Sequence, residues 1–204
     1  MKYFLSFLLF FFLFAVQAQD DQYVKEIEKY RKEQDAEFSD PKTSPLAADE
    51  RKSFQGHEYF PVDANYKVQA RFEATPKSSP FTLGTNTGGA QLFRRIGILH
   101  FELWGEPYTL EAYLKVQSFA MRSTVNYVFL PVIDLTTGET TYGAGRYLQY
   151  EGIPEGEEWI IDFNKLYNPY CAYNANYECP LVPESNHLPV KIEAGVKDYS
   201  PNKK

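Results

Sequence analysis

The first hydrophobic feature of the chain is an unbroken apolar run near its N-terminus. Lys2 precedes this run, which extends from Tyr3 to Val16 and is followed by the small residue Ala18. A short charged start, an apolar middle and a small residue at the end are typical of a secretory signal peptide. The run of about 14 residues is shorter than the roughly 20 that a helix needs to cross a bilayer. We therefore predict a signal peptide over residues 1–18, cleavage after Ala18 and export to the periplasm or the extracellular space, with an uncleaved membrane anchor as the alternative.

Hydrophobic positions then follow a helical period. Between Asp20 and Phe38 the apolar stripe consists of Tyr23, Val24, Ile27 and Tyr30. This spacing places one face of a helix against a core. A second, shorter helix is predicted after Asp40–Pro41, with Ser44 as its N-cap, Pro45 at its first position and Gln55–Gly56 as its end. Residues 19–56 are therefore expected to form a helical segment.

From residue 57 onward the hydrophobic period changes to two, which is typical of half-buried strands. The clearest example alternates from Tyr66 to Ala74. Other predicted strands are Phe81–Thr87, Ile98–Leu103, Thr109–Val116, Asn126–Ile133, Thr140–Tyr142, Trp159–Phe163 and Val190–Ala194. The second and third of these should form a hairpin around Gly105–Pro107. The pattern predicts a mainly β domain over residues 57–204, an antiparallel β-sandwich or a partly closed β-barrel with two N-terminal helices.

Composition narrows the class of partner. The chain of 204 residues is 44% hydrophobic and 24% charged, which is typical of a globular protein. Its net charge is −6, whereas binding to nucleic acid or to an anionic membrane surface needs a basic patch. We predict no nucleic-acid partner and no stable membrane span after signal cleavage.

The chain has two cysteines, Cys171 and Cys179. In an exported chain a disulfide between them is the first interpretation. A zinc site is a weaker one, since zinc takes four ligands and the histidines are few, namely His57, His100 and His187. A nucleophilic cysteine with His57 or His187 as its base is a third. We predict no metal and no cofactor.

The segment Thr141–Leu148 places Arg146 among glycines and aromatic residues. A guanidinium can grip a carboxylate or phosphate of a ligand with two parallel hydrogen bonds. The alternative, which we favour, is an internal ion pair of Arg146 with Asp162 or Glu151. The two glycines lack the strand–loop–helix context that nucleotide binding requires.

A polar and aromatic cluster follows the strand at Trp159. Asp162 lies between apolar neighbours, so its carboxylate must be paired or hydrogen-bonded. Asp162, Asn164 and Asn168 either pin loops or line a pocket. The tyrosines that would wall this pocket are Tyr147, Tyr167, Tyr170 and Tyr173. The candidate ligand-binding residues are Arg146, Tyr147, Asp162, Asn164, Tyr167, Asn168 and His57.

Three functions fit these patterns. The first is a domain that binds a small ligand or an envelope component, with an acidic small molecule or an envelope glycan as partner. The second is a hydrolase-like enzyme that uses Asp162, His57 or Cys171, although no Ser/His/Asp, HExxH or paired-carboxylate motif is present. The third is a structural or protein-interaction module.

Four segments carry a resemblance to a known family. They are FPVDANYKVQARFEATP, GILHFELWGEPYTLEAYL, FLPVIDLTTGETTYGAGRYL and IDFNKLYNPYCAYNANYECPLVPESNHLPVKIEAG. The chain resembles the DUF1684 family, a bacterial family of unknown function, over roughly His57 to Gly195. Because the function of the family is unknown, the resemblance does not indicate which activity the chain has. It implies that motif positions are occupied by Gly145, Arg146, Asp162, Asn164, Tyr167, Asn168, Cys171, Cys179, Pro180 and Asn186.

Overall fold

The computed structural model describes the backbone of residues 2–116 and 127–199, with side chains from residue 20 onward. The helices are α1 (Lys2–Ser39) and α2 (Ala48–Ser53). The strands are β1 (Lys67–Ala74), β2 (Phe81–Gly84), β3 (Ala90–Leu103), β4 (Glu106–Lys115), β5 (Tyr127–Val132), β6 (Arg146–Glu151) and β7 (Glu158–Asp162).

These strands form a single antiparallel sheet in the order β6-β5-β4-β3-β1-β7, and β2 pairs with the N-terminal part of β3. The segment that follows β7 returns to β6 at the other end of this order. The backbone N–H of Tyr147 in β6 donates to the carbonyl of Tyr167 at 2.9 Å, and the N–H of Tyr167 donates back at 3.0 Å. The sheet therefore curls into a half-barrel. The predicted mainly β, antiparallel class is confirmed, and a curled sheet takes the place of two stacked ones.

One face of the curled sheet holds the main core, and a second, smaller cluster that includes Phe93, Phe129 and Tyr147 lies apart from it. The alternation predicted for the hairpin is confirmed, since Leu99, Phe101, Leu103, Leu110 and Ala112 are each at most 4% exposed. Burying a side chain of this size contributes about 1.5–3 kcal/mol. The hairpin strands thus form the centre of both the sheet order and the core.

The hairpin turn lies one residue earlier than predicted. Trp104 and Gly105 occupy its centre with φ values of 57° and 81°. Two-residue hairpin loops of this kind need positive φ at both central positions, because that twist matches the twist of the strands. Pro107 instead lies in β4, opposite Glu102.

Helix α1 contains the whole helix predicted from Asp20 to Phe38. Tyr23, Ile27 and Phe38 are buried, as a stripe facing a core requires. The helix also runs through Ala18, so the predicted cleavage site lies inside it, and cleavage and export remain predictions. In the described part of the chain, no helix combines the length and apolar character needed to cross a membrane.

The second predicted helix is only partly correct. Helix α2 begins at Ala48 rather than Pro45, spans six residues and buries none of them. The Ser44 hydroxyl accepts the backbone N–H of Leu46 at 3.2 Å, which forms a local turn instead of a helix N-cap. Leu46 itself is buried, so this segment contributes to the core through an extended stretch.

Two strand predictions fail and one strand was not predicted. Val190–Ala194 has no strand assignment, and Thr140–Tyr142 contributes a single bridge at Thr141. Strand β6 was interpreted only as a glycine-containing segment. The physical reason for the missing strand at 190–194 lies in the contacts of Arg146.

Candidate functional site

Arg146, the first residue of β6, has no exposed surface. Its Nη2 donates to the Asp134 carboxylate and to the Ile192 carbonyl, each at 2.9 Å. Its Nη1 donates to the carbonyls of Ala194 and Val196 at 2.5 and 3.0 Å. All four N–H groups of these two nitrogens are therefore used inside the protein.

The role of Arg146 in binding a ligand, considered from the sequence, is therefore wrong. Neither of its terminal nitrogens has a free N–H or access to solvent. The internal ion pair is present, but its acidic partner is Asp134 rather than Asp162 or Glu151. The sequence does contain a signal for Asp134. It follows a buried strand directly, and a carboxylate in that place needs a partner.

The side chains of Arg146 and Asp134 make the hydrogen bonds to residues 192–196 that a neighbouring strand would otherwise make. The three carbonyls that Arg146 binds belong to alternate residues, as along an extended strand. Asp134 completes the pairing, since its Oδ1 accepts the backbone N–H of Ile192 at 3.1 Å. Residues 190–194 therefore alternate like a strand, while the backbone groups of Ile192 and Ala194 bond to side chains instead of a neighbouring strand.

Asp162 and Asn164 form a buried network with helix α1. The Tyr23 hydroxyl donates to Asp162 Oδ1 at 2.8 Å, and the backbone N–H of Asn164 donates to the same oxygen at 3.1 Å. The Asn164 amide donates to Tyr23 Oη at 2.9 Å and to the Asp63 carbonyl at 2.8 Å. Burial, and next the hydrogen bond with Asp162, raise the pKa of Tyr23, so its hydroxyl stays protonated as a donor. Pinning of the chain, one of the two predicted roles, is therefore the role of Asn164.

His57 lies in an aromatic box at the other end of α1. Its Nδ1 is 2.6 Å from Asp35 Oδ1, and its backbone N–H donates to the same oxygen at 3.0 Å. Its ring lies 4.4 Å from that of Phe38 and 5.5 Å from that of Tyr173, in edge-on contacts. Asp35 thus fixes the ring orientation. Sequence reasoning missed Asp35, because an acidic residue on the polar side of a helix carries no local signal.

Cys171 and Cys179 are free thiols in the structure, so the predicted disulfide is not formed here and stays a prediction. The backbone N–H of Cys171 lies 3.2 Å from Cys179 Sγ. The hydrogen bond from the Cys179 thiol lowers the pKa of Cys171 to about 7, and the Tyr142 hydroxyl, 3.8 Å from Cys171 Sγ, acts in the same direction. Tyr142 was not among the predicted site residues.

A cleft of about 1070 Å³ runs between α1, the β5–β6 edge and the loops that follow β7. Of the predicted ligand-binding residues, it is lined by Tyr147, Asp162, Tyr167, Asn168 and His57. Arg146 and Asn164 do not line it. Helix α1 also contributes Tyr30, which its apolar stripe predicted only to pack against a core, and Glu37, for which no role was predicted.

The cleft is elongated along α1. Asp162 contacts Tyr23, whereas His57 contacts Asp35, twelve positions further along the helix. A helix rises 1.5 Å per residue, so these two contact points on α1 are roughly 18 Å apart. Tyr30 lies between them, and burial raises its pKa to about 12.

The contacts of Cys171 and His57 do not place a nucleophile beside a base, as the hydrolase hypothesis would need. A cysteine nucleophile needs a base within hydrogen-bond reach. Among the described residues, the hydrogen-bonding side chains at Cys171 are Tyr142 and Cys179, while the His57 ring is bonded to Asp35. No group of three or more His, Cys, Asp or Glu side chains that could hold a metal ion occurs in residues 20–116 and 127–199.

Comparison with known proteins places the chain in a family. No protein of curated function shows significant similarity to it. A solution NMR structure of an uncharacterized protein of Haloarcula marismortui is similar, with a TM-score of 0.67 and 29% sequence identity over 92% of this chain and 99% of that one. Residues 52–197 match the family described as "Protein of unknown function (DUF1684)". The chain therefore belongs to the DUF1684 family.

Proposed function

We propose that this protein binds a neutral, elongated, hydroxyl-rich ligand, a short glycan chain of the cell envelope, in the cleft along α1. The observation that carries the proposal is the pair of unused acceptors near the two ends of the cleft. In the described part of the chain, every hydrogen bond of the Asp162 side chain goes to Oδ1, and His57 Nε2 takes part in none. Asp162 Oδ2 and His57 Nε2 can therefore accept sugar hydroxyls.

Aromatic side chains between these acceptors suit the apolar faces of sugar rings. The cleft lining includes Tyr30, Tyr127, Tyr150, Tyr167 and Tyr177. Tyrosine offers a flat apolar surface together with a polar hydroxyl. A sugar ring likewise has an apolar face and polar hydroxyls, so the two are complementary. Ligand sites commonly join such walls with a few placed polar groups.

Charge favours a neutral ligand over the acidic small molecule that the sequence suggested. The lining includes five carboxylates and three lysines. The carboxylates are Glu26, Glu37, Glu151, Asp162 and Glu178, and the lysines are Lys67, Lys115 and Lys165. With Arg146 fully used inside the protein, an acidic ligand would meet a net negative wall.

The predicted signal peptide supports the envelope as the source of the ligand. Export would bring the cleft into the compartment where glycan chains are exposed. The hydrolase-like and interaction-module hypotheses stay as predictions from the sequence, and no contact of the cleft favours either of them.

The test is calorimetric titration with neutral linear oligosaccharides of increasing length. We expect affinity to rise with length until the ligand spans the cleft. We expect Tyr30→Ala, which removes the ring midway along it, to weaken binding about tenfold, or about 1.4 kcal/mol. Trp104→Ala is the matched control, since Trp104 is 57% exposed at the hairpin turn and outside the cleft lining. Equal losses in the two variants, or no binding by any oligosaccharide, would contradict the proposal.

A further inference from the structure

Cys171 and Cys179 lie close together as free thiols in unequal surroundings. A purely structural disulfide does not need such a difference between its two cysteines. Cys171 lies in the turn Tyr170–Ala172, and Cys179 follows eight positions later. Both thiols are free, and Cys179 Sγ accepts the backbone N–H of Cys171 at 3.2 Å. This contact places the Cys179 sulfur beside Cys171, so a bond between the two residues needs only a local movement of the chain.

The two thiols differ in exposure and in surroundings. Cys179 is 8% exposed, and Cys171 is the more accessible of the two. The Tyr142 hydroxyl points at Cys171 Sγ. Cys179 instead lies beside the carboxylate of Glu178, and the hydrogen bond to Cys171, then burial, raise its pKa.

These differences separate the roles of the pair. The thiolate is the form of cysteine that attacks, and the thiol with a pKa of about 7 supplies it at neutral pH. Cys171 is thus poised to react first, and Cys179 is held in contact to react second.

We propose that Cys171 and Cys179 form a thiol–disulfide exchange site, with Cys171 as the nucleophile, Cys179 as the resolving thiol and a small or protein disulfide as substrate. The Cys171 thiolate attacks one sulfur of the substrate disulfide, which forms a mixed disulfide and releases the other half as a thiolate. Cys179, giving up its proton, then attacks Cys171 Sγ and releases the second half. The protein pair is oxidised by two electrons and the substrate disulfide is reduced to two thiols.

A metal site is the competing use of two adjacent thiols. Structural zinc takes four ligands, and the described residues offer no third His, Cys, Asp or Glu side chain at this pair. Exchange needs only the two sulfurs, so the observed contacts suffice for it.

Oxidation of Cys171 and Cys179 to a disulfide would change the part of the cleft wall that contains Cys179. Cys179 and Pro180 line that cleft. The backbone N–H of Cys179 donates to Asn86 Oδ1 at 2.7 Å, and the Tyr147 hydroxyl donates to the Pro180 carbonyl. A bond from Cys171 to Cys179 would therefore fasten a segment that already contacts the sheet.

The test uses the full chain, reduced and then exposed to glutathione disulfide, with products identified by mass spectrometry. We expect the unmodified protein to form the internal disulfide with no lasting adduct. We expect Cys179→Ser to keep one glutathione on Cys171, and Cys171→Ser to react at least tenfold more slowly. Equal rates for the two single variants, or an unmodified protein that keeps both thiols, would overturn the assignment.

A second measurement guards against variants that do not fold. The unmodified protein is treated with less than one equivalent of iodoacetamide and its peptides are mapped. Preferential labelling of Cys171 is expected, and Tyr142→Phe, which keeps both thiols, should slow that labelling. Preferential labelling of Cys179 would contradict the proposal.

Discussion

At the scale of single residues, Arg146 is the side chain on which the C-terminal segment depends most. Its removal would leave the Asp134 carboxylate buried without its cation and three backbone carbonyls without donors. Losing one partner of a buried ion pair costs about 3–5 kcal/mol. We expect Arg146→Ala to lower the free energy of unfolding by that amount in urea titrations, and Arg146→Lys to lose most of it, since one ammonium cannot reach four acceptors.

The coupling between the two side chains checks this interpretation. The double variant Arg146→Met with Asp134→Leu contains no uncompensated buried charge. Its loss in free energy of unfolding should therefore be smaller than the sum of the losses for Arg146→Met alone and Asp134→Leu alone. A loss below about 1 kcal/mol for Arg146→Ala would contradict the structural role and reopen the ligand role.

At the scale of elements, the close approach of β1 and β3 depends on Gly97. A Cβ built there would lie 2.2 Å from the Phe72 ring and 2.7 Å from the Glu73 carbonyl oxygen. The Phe72 ring stacks on Trp159 with centroids 4.1 Å apart. Forcing a methyl group into packed surroundings costs about 1–3 kcal/mol, so Gly97→Ala should destabilise the protein and displace this stack.

Trp159 fluorescence reports the displacement in a Trp104→Phe background, since the chain has only two tryptophans. Gly88→Ala is the control. Gly88 has a φ of +82° but no atom within 4 Å of an added Cβ. The control should therefore cost only about 1–2 kcal/mol of backbone strain and leave the Trp159 spectrum unchanged. Similar spectra for the two variants would show that the stack does not depend on Gly97.

The same scale shows how far the sequence could predict the fold. Strands with one buried face carry a period of two, so the buried positions Leu99, Phe101, Leu103, Leu110 and Ala112 were predicted correctly. Tyr113, predicted on the outward face, is also fully buried, because a second hydrophobic cluster covers that face. Residues 190–194 carry the same alternation, but the backbone of Ile192 and Ala194 bonds to the side chains of Arg146 and Asp134. Periodicity reports which side chains are buried and cannot report where the backbone hydrogen bonds go.

At the scale of the whole molecule, the site depends on contacts between distant segments. Asp162 could be singled out by residue type, because a carboxylate among apolar residues needs a partner, and the two cysteines could be assigned to each other. The partner of Asp162 could not be predicted, since Tyr23 is 139 positions from it. The role of α1 as a wall of the cleft is likewise absent from its local pattern, which indicates only that one face is buried.

Helix α1 should therefore stabilise the half-barrel as well as line the cleft. The side chains that it buries include Tyr23, Ile27 and Phe38, each contributing about 1.5–3 kcal/mol. All three follow the predicted cleavage site. We expect a chain of residues 19–204 to melt at the temperature of the full chain, and a chain of residues 57–204 to melt at least about 10 °C lower.

Tyr23→Phe in the 19–204 chain separates the contribution of the polar network from that of apolar burial. It removes only the hydroxyl that joins Asp162 and Asn164, so it should lower the free energy of unfolding by about 1–3 kcal/mol. Differential scanning calorimetry compares these two truncated chains and the Tyr23→Phe variant with the full chain. If residues 57–204 melted with the same midpoint as residues 19–204, α1 would be a peripheral helix, and a cleft that needs it as a wall would have no stable structural basis.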